Sequence, residues 1–109
     1  MVKIWLDDER EAPDDFWLIA RSIEPIKVLL EAGLVQVLSL DNDLGLGQPE
    51  GHCLVDWMVQ TGHWPTGDCF VHSRNVVAAK RMTQDIVTHF FNRNRDAGWP
   101  NGGPRGRAF

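Results

Sequence analysis

Two acidic clusters each follow a hydrophobic segment with the composition of a β-strand. The first cluster follows the apolar run 2–6, and the second follows the run 35–40. If these strands lie side by side and parallel, their carboxylates meet at one edge of the sheet. Carboxylates held that close repel one another unless a divalent cation or a shared proton occupies the cluster. The residues from which the sequence predicts a metal site are Asp7, Asp8, Asp41 and Asp43.

Oxygen ligands of this kind suit a hard cation, Mg²⁺ or Mn²⁺, and a bound phosphate oxygen would complete the shell of ligands. An acidic residue after a strand can also be an ordinary loop residue or a helix cap. For Asp43 in particular, a cap on the following turn is an equal alternative.

Composition predicts one compact domain without strong affinity for nucleic acid. The chain has 109 residues, of which 43% are hydrophobic, and a formal net charge of −4. That length supports a single core, and that charge argues against tight nonspecific binding to nucleic acid. Cys53 and Cys69 have no C-x-x-C spacing, so we expect neither a disulfide framework nor a zinc site. Without a segment that resembles a signal peptide or membrane helix, the prediction is a cytoplasmic protein with no membrane partner.

Hydrophobic periodicity predicts strands that alternate with helices. The predicted strands are 2–6, 16–20, 35–40 and 69–72, and the predicted helices begin at Ser22 as N-cap, at His52, and at Ser73 or Asn75 as N-cap. The last helix is expected to end near Asn92, which gives a domain over 1–92 and a Gly/Pro/Arg-rich tail over 93–109. The apolar stripes of the helices are Ile23, Ile26, Leu29 and Leu30; Leu54, Val55, Met58 and Val59; and Ala79, Met82, Ile86, Val87 and Phe90.

Alternating strands and helices indicate an α/β fold with a mostly parallel sheet covered on both faces. Ligands of such sheets bind beyond the carboxyl ends of the strands. His72 ends the fourth predicted strand, so its ring is expected at the pocket edge, where it could transfer protons near neutral pH. A packed or surface histidine is the alternative.

Three further residues could contact a phosphate. Ser73 and Asn75 lie where a strand gives way to a helix, and free N–H groups at a helix start favour anions. Both residues could instead be helix caps. Arg10 lies three residues after Asp7, where its guanidinium could bind a phosphate at two points or neutralise the acidic cluster.

Three segments resemble a known family. The acidic pair after the first strand, Asp41 and Ser73 resemble the functional residues of response-regulator receiver domains, with Asp41 in the place of the phosphoacceptor. Segments 5–13, 39–45 and 71–75 are more specifically similar to the branch called cyclic-phosphate processing receiver domains. The resemblance covers roughly residues 1–92.

The resemblance implies a receiver-like, flavodoxin-like three-layer sandwich with a four- or five-stranded, mostly parallel sheet. It also implies a pocket that binds a divalent cation and a phosphate ester, for that branch a cyclic phosphate. The chain departs from ordinary receivers because a loop with Pro13 replaces the first helix and no fifth strand with a terminal lysine is visible. Asn42 stands where the branch often has histidine.

The leading hypothesis is a metal-dependent phosphoesterase or phosphotransferase that acts on a nucleotide or an RNA-end phosphate. Asp41 would attack phosphorus, or His72 would donate a proton or activate water. Arg10, Ser73 and Asn75 would orient the phosphate oxygens. One alternative is a module that binds a cyclic nucleotide or a phosphorylated partner without turnover, and another is a degenerate receiver used as an interaction domain.

Overall fold

The computed structural model describes residues 1–96, in which strands and helices alternate. Residues 97–109, most of the predicted tail, lie outside the described part. No helix within residues 1–96 combines the length and the apolar character that a membrane span requires. The strands are β1 (Val2–Leu6), β2 (Trp17–Ala20), β3 (Val35–Leu40) and β4 (Cys69–Val71), and the helices are α1 (Glu24–Glu31), α2 (Gly51–Thr61) and α3 (Val76–Asp96).

The four strands of the described part form one parallel sheet in the order β2-β1-β3-β4. The central pair brings Leu6 opposite Leu40, so β1 and β3 end at the same level of the sheet. The chain therefore has the receiver-like α/β fold that the sequence predicts, and the first helix of that fold is replaced by a loop, as expected.

The hydrophobic core lies between the sheet and the three helices. Along β1, Ile4 and Leu6 are fully buried in this core, whereas Trp5 between them points to the opposite face. Each fully buried aliphatic side chain contributes about 1.5–3 kcal/mol to folding. The helices add Ile26, Leu30, Leu54, Val55, Met58, Met82, Ile86 and Phe90 to the same cluster.

Right-handed crossovers explain why the helices share one side. The connections from β2 to β3 and from β3 to β4 both move in the same direction across the sheet, so right-handed crossovers place α1 and α2 on one face. The connection from β1 to β2 moves the opposite way and is the loop 7–16. That loop lines a cavity with Trp17 and Ile19 of β2. Among the described residues, the layer on this second face is thus a loop instead of a helix.

Helix starts follow different rules at α1 and α3. Ser22 was predicted to cap α1, and this is wrong, because the N-cap position is Ile23 and no side chain bonds to the helix start there. The helix begins at Glu24, and Pro25, whose fixed φ suits a first turn, is its second residue. For α3 the predicted cap is confirmed, since Asn75 Oδ1 accepts the amide N–H of Ala78 at 3.1 Å.

The buried stripes are narrower than the periodicity predicts. Val59 is 56% exposed and Val87 is 42% exposed, so both lie outside the core. On α3, Ala78 is buried in the core in place of Ala79. Helix α3 also continues to Asp96, past its predicted end near Asn92. These shifts arise because neighbouring helices, which the periodicity does not encode, decide how wide a stripe is covered.

The burial of His89 predicts a loss of stability in mild acid. The ring stacks on Trp64 at 3.9 Å, and its Nε2 is buried without a hydrogen-bond partner among the described residues. Burial, together with the nearby charge of Arg93, lowers the pKa of His89 from 6.5 to about 4. The unfolded chain then binds the extra proton first, so stability falls as pH decreases from about 6.5 to about 4.

Urea unfolding at several pH values measures this effect. His89→Phe keeps a ring on Trp64 but cannot titrate, while Asp85 and Arg93 nearby stay unchanged. Over this pH range we expect the free energy of unfolding of the wild type to fall by up to about 3 kcal/mol more than that of the variant, since one pKa unit is about 1.4 kcal/mol. Parallel stability curves for the two proteins would contradict the prediction.

Candidate metal and phosphate site

Three carboxylates converge at the carboxyl edge of the sheet. Asp7 and Asp8 follow β1, and Asp41 follows the neighbouring strand β3. One oxygen from each of the three lies within 4.8 Å of the others. Asp7 is 1% exposed and Asp41 is 8% exposed, whereas Asp8 is half-buried. The structure therefore brings together three of the four residues from which the sequence predicts a metal site.

Asp7 is held in its ionised form by hydrogen bonds. Its Oδ1 accepts the backbone N–H groups of Glu9 and Arg10, both at 2.8 Å, and its Oδ2 lies 3.1 Å from Nε2 of His72. Burial alone would raise the pKa of Asp7, but these hydrogen bonds outweigh it and hold the pKa below its ordinary value. Asp7 is thus a carboxylate at neutral pH.

His72 lies behind Asp7 and contacts protein atoms on both ring nitrogens. Nδ1 is 2.8 Å from Oγ of Ser39, and the ring stacks on Trp5 with centroids 3.8 Å apart. Burial lowers the pKa of His72 despite the opposing effect of Asp7. A neutral ring beside an ionised carboxylate donates from Nε2 to Asp7 and accepts the Ser39 hydroxyl at Nδ1.

Asn42 ties together the two ends of the loop 43–50. Its side chain is fully buried, and its Nδ2 donates to Oδ1 of Asp43 at 3.0 Å and to Oε2 of Glu50 at 2.8 Å. Its Oδ1 accepts the backbone N–H of His52 at 3.1 Å, and its own backbone N–H donates to Oδ1 of Asp41 at 2.8 Å. Asn42 therefore holds the loop beside the carboxylates, a role that the sequence did not reveal.

A pocket of about 320 Å³ opens beside the three carboxylates. Asp43 and Arg10, both predicted site residues, line it, although Asp43 does not belong to the converging group of three. Two positive side chains, Arg10 and Arg74, also line it. Nε of Arg10 lies 3.8 Å from Oδ2 of Asp7, an ion pair that fits the alternative in which Arg10 neutralises the acidic cluster. The residues that line the pocket are Asp7, Asp8, Glu9, Arg10, Asp41, Asp43, Gly45 and Arg74.

Ser73 and Asn75 form the start of α3. Ser73 Oγ accepts the backbone N–H of Asn75 at 3.1 Å, and Asn75 caps the helix as described above. Neither residue is among those that line the carboxylate pocket. Their hydrogen bonds are those of the capping alternative, and contact with a phosphate stays a prediction for both.

The donor set fits a hard divalent cation. Asp7, Asp8 and Asp41 offer only oxygen atoms, the ligands that Mg²⁺ and Mn²⁺ prefer. Two oxygens on opposite sides of one Mg²⁺ lie about 4.2 Å apart, because each Mg–O distance is about 2.1 Å. The three oxygens lie within 4.8 Å of one another, so they would have to move closer together to bind one Mg²⁺.

These features define a receiver-like α/β domain with a carboxylate pocket at the carboxyl edge of its sheet. The sequence model of the cyclic-phosphate processing receiver domain matches residues 2–88. The chain therefore belongs to the cyclic-phosphate processing receiver domain family, as its three sequence segments predicted. A search of curated proteins found no match, and neither did a search of solved structures.

The close approach of α2 to the site makes Gly51 sensitive to substitution. A Cβ added at Gly51 would lie 2.0 Å from the backbone oxygen of Asp41. Alanine favours a helix more than glycine does, by about 1 kcal/mol, but here the clash dominates. We expect Gly51→Ala to lower the free energy of unfolding by about 1–3 kcal/mol, the usual effect of overpacking.

Chemical denaturation of Gly51→Ala tests this expectation. Gln60→Ala, an exposed change in the same helix, is the control and should unfold like the wild type within about 0.5 kcal/mol. A Gly51→Ala protein as stable as the wild type would show that α2 does not pack this tightly against Asp41.

Proposed function

We propose that this protein is a divalent-metal-dependent phosphoesterase or phosphotransferase that acts on nucleotide-type phosphates, cyclic phosphates at RNA ends included. The observation that carries the proposal is the convergence of three carboxylates beside a pocket that also contains two arginines. Carboxylates alone would repel a phosphate. A cation together with arginines makes the same pocket attractive to one.

Asp8 and Asp41, with help from Asp7, would hold Mg²⁺ or Mn²⁺. The bound ion supplies positive charge that neutralises the phosphate and the charge that develops in the transition state. Arg10 and Arg74 line the same pocket, where their N–H groups would bind the remaining phosphate oxygens. Asp43, which lines the same pocket, would add a further oxygen ligand.

Asp41 is the residue best placed to act on phosphorus. Its Oδ1 accepts the Asn42 N–H, which leaves Oδ2 for the pocket. In one route Oδ2 attacks phosphorus, the bond from phosphorus to the leaving oxygen breaks, and water later hydrolyses the aspartyl phosphate. In the other route Oδ2 accepts a proton from the attacking water. In either route the leaving oxygen needs a proton, which the sequence assigns to His72.

One observation favours the second candidate, a binding module without turnover. Both ring nitrogens of His72 contact protein atoms, and His72 does not line the pocket. Among the described residues, the titratable groups that line the pocket are carboxylates and arginines. A pocket without a proton donor for the leaving oxygen can bind a cyclic nucleotide or a phosphorylated partner and leave it intact.

Turnover and binding assays distinguish these candidates. With Mg²⁺ present, an enzyme releases product from a panel of nucleoside cyclic phosphates and cyclic-ended RNA. A binding module shifts in melting temperature with a ligand from that panel but yields no product. A degenerate receiver does neither. The proposal predicts Mg²⁺-dependent product from at least one member of the panel.

Asp41→Asn tests the residue assignment within the same assay. We expect at least a 100-fold loss of turnover, because the change removes both a metal ligand and the reactive oxygen. Asp15→Asn makes the same chemical change at an exposed position outside the pocket and should keep full turnover. Full turnover by a folded Asp41→Asn protein would refute the role proposed for Asp41.

A further inference from the structure

Four polar or aromatic side chains form a connected group on the sheet face opposite the helices. Trp5 of β1 lies directly opposite Ser39 of β3, and Ser39 lies opposite Phe70 of β4. Because side chains alternate along a strand, Asp7 shares the face of Trp5, and His72 shares the face of Phe70. Strand register alone thus gathers Trp5, Ser39, Asp7 and His72 on one face.

The His72 ring is fixed in this group at three points. Ser39 Oγ lies 2.8 Å from Nδ1, and Asp7 Oδ2 lies 3.1 Å from Nε2. The Trp5 ring stacks on the imidazole at 3.8 Å with an angle of 4° between the planes. A half-turn of the imidazole would replace both nitrogens by carbons and lose both hydrogen bonds. Since Ser39 and Asp7 are 4% and 1% exposed, water cannot easily replace those bonds.

The remaining hydrogen-bond capacity of Asp7 explains why this orientation matters. Oδ1 already accepts two backbone N–H groups, so Oδ2 is the oxygen with capacity for a cation. The Nε2–H of His72 occupies one side of Oδ2. Nε of Arg10 lies 3.8 Å from the same oxygen, farther than a hydrogen bond, so a lone pair of Oδ2 remains for the pocket that Asp8 and Asp41 share.

We propose that Ser39, Trp5 and His72 are positioning residues for Asp7. Ser39 and Trp5 hold the orientation of the His72 ring, and the ionised Asp7, which can only accept, selects the tautomer with hydrogen on Nε2. That N–H directs the remaining lone pair of Asp7 Oδ2 toward the cation site. In this role His72 acts through Asp7 and needs no contact with the substrate. The inference rests on the proposed function only in that the site binds a divalent cation. Partners that orient a metal ligand typically change metal affinity by about 10- to 100-fold.

Heteronuclear NMR of the imidazole nitrogens tests the orientation in the metal-free protein. The wild type should show His72 as the tautomer with hydrogen on Nε2 and an unprotonated Nδ1. In Ser39→Ala, which removes the donor to Nδ1, the hydrogen should stay on Nε2 because Asp7 still accepts it, and the Nδ1 signal should shift toward that of a nitrogen without a hydrogen bond. A wild-type His72 with hydrogen mainly on Nδ1 would overturn the inference whether or not a metal binds.

Calorimetric titration with Mn²⁺ tests the consequence for the cation. We expect Ser39→Ala to weaken Mn²⁺ binding about 10-fold, and Ser39→Thr, which keeps the hydroxyl, to restore most of the affinity. Ser22→Ala, the same change outside the group, should bind like the wild type. If Ser39→Ala does not fold, Trp5→Leu, which removes the stacked ring, replaces it in the titration and should likewise weaken Mn²⁺ binding about 10-fold.

The titration separates failure of this inference from failure of the proposed function. A wild type that takes up no Mn²⁺ would overturn the proposed function and, with it, the part of this inference that concerns the cation. A wild type that binds Mn²⁺ with the same affinity as a folded Ser39→Ala protein would overturn the positioning role alone.

Discussion

Repulsion among Asp7, Asp8 and Asp41 is the constraint around which the carboxyl edge of the sheet is arranged. Two unit charges 4.8 Å apart repel by about 3.5 kcal/mol at an effective dielectric constant of about 20, and the three carboxylates each have an oxygen within that distance of the others, so each pair opposes folding. The protein offsets this mainly at Asp7, the most buried of the three, with two backbone N–H groups and the His72 ring. Arg10, whose Nε lies 3.8 Å from Oδ2 of Asp7, offsets a further part. Carboxylates still outnumber arginines in the pocket lining, and this excess negative charge is what a divalent cation requires.

The loop that replaces the first receiver helix contributes directly to this compensation. Because the chain turns immediately after β1, the amides of Glu9 and Arg10 fold back onto Asp7 in an Asx-type turn. The backbone oxygen of Arg10 also accepts the indole N–H of Trp5 at 3.2 Å. The loop in which this chain departs from the ordinary receiver fold is therefore also the segment that stabilises the buried charge of Asp7. On the other side of the pocket, Asn42 and Gly51 hold α2 and the loop 43–50 against Asp41 in a similar way.

Sequence patterns predicted the strands, their parallel arrangement, the family and the convergence of three carboxylates. Each of these depends on local hydrophobicity, on local motifs or on which strands end together. The Asn75 cap was predicted for the same local reason, whereas the Ser22 cap was wrong because the helix begins one residue later than predicted, with Ile23 at its N-cap position. The roles of Ser39 and Asn42 were not predicted. Ser39 meets His72 only through the register of β3 with β4, and Asn42 meets Glu50 only through the path of the loop between them. The hydrophobic periodicity of a single segment gives no information about either contact.

The most direct test of the central claim is a Mn²⁺ titration followed by NMR, since this paramagnetic ion broadens the signals of nuclei close to it. The account predicts that substoichiometric Mn²⁺ selectively broadens the amide signals of residues 7–10 and 41–45, while signals from the distant core-facing part of α3 stay sharp. Excess Mg²⁺ should restore the broadened signals by competition. Broadening spread evenly over the surface, or centred away from Asp8 and Asp41, would contradict a cation site formed by these carboxylates.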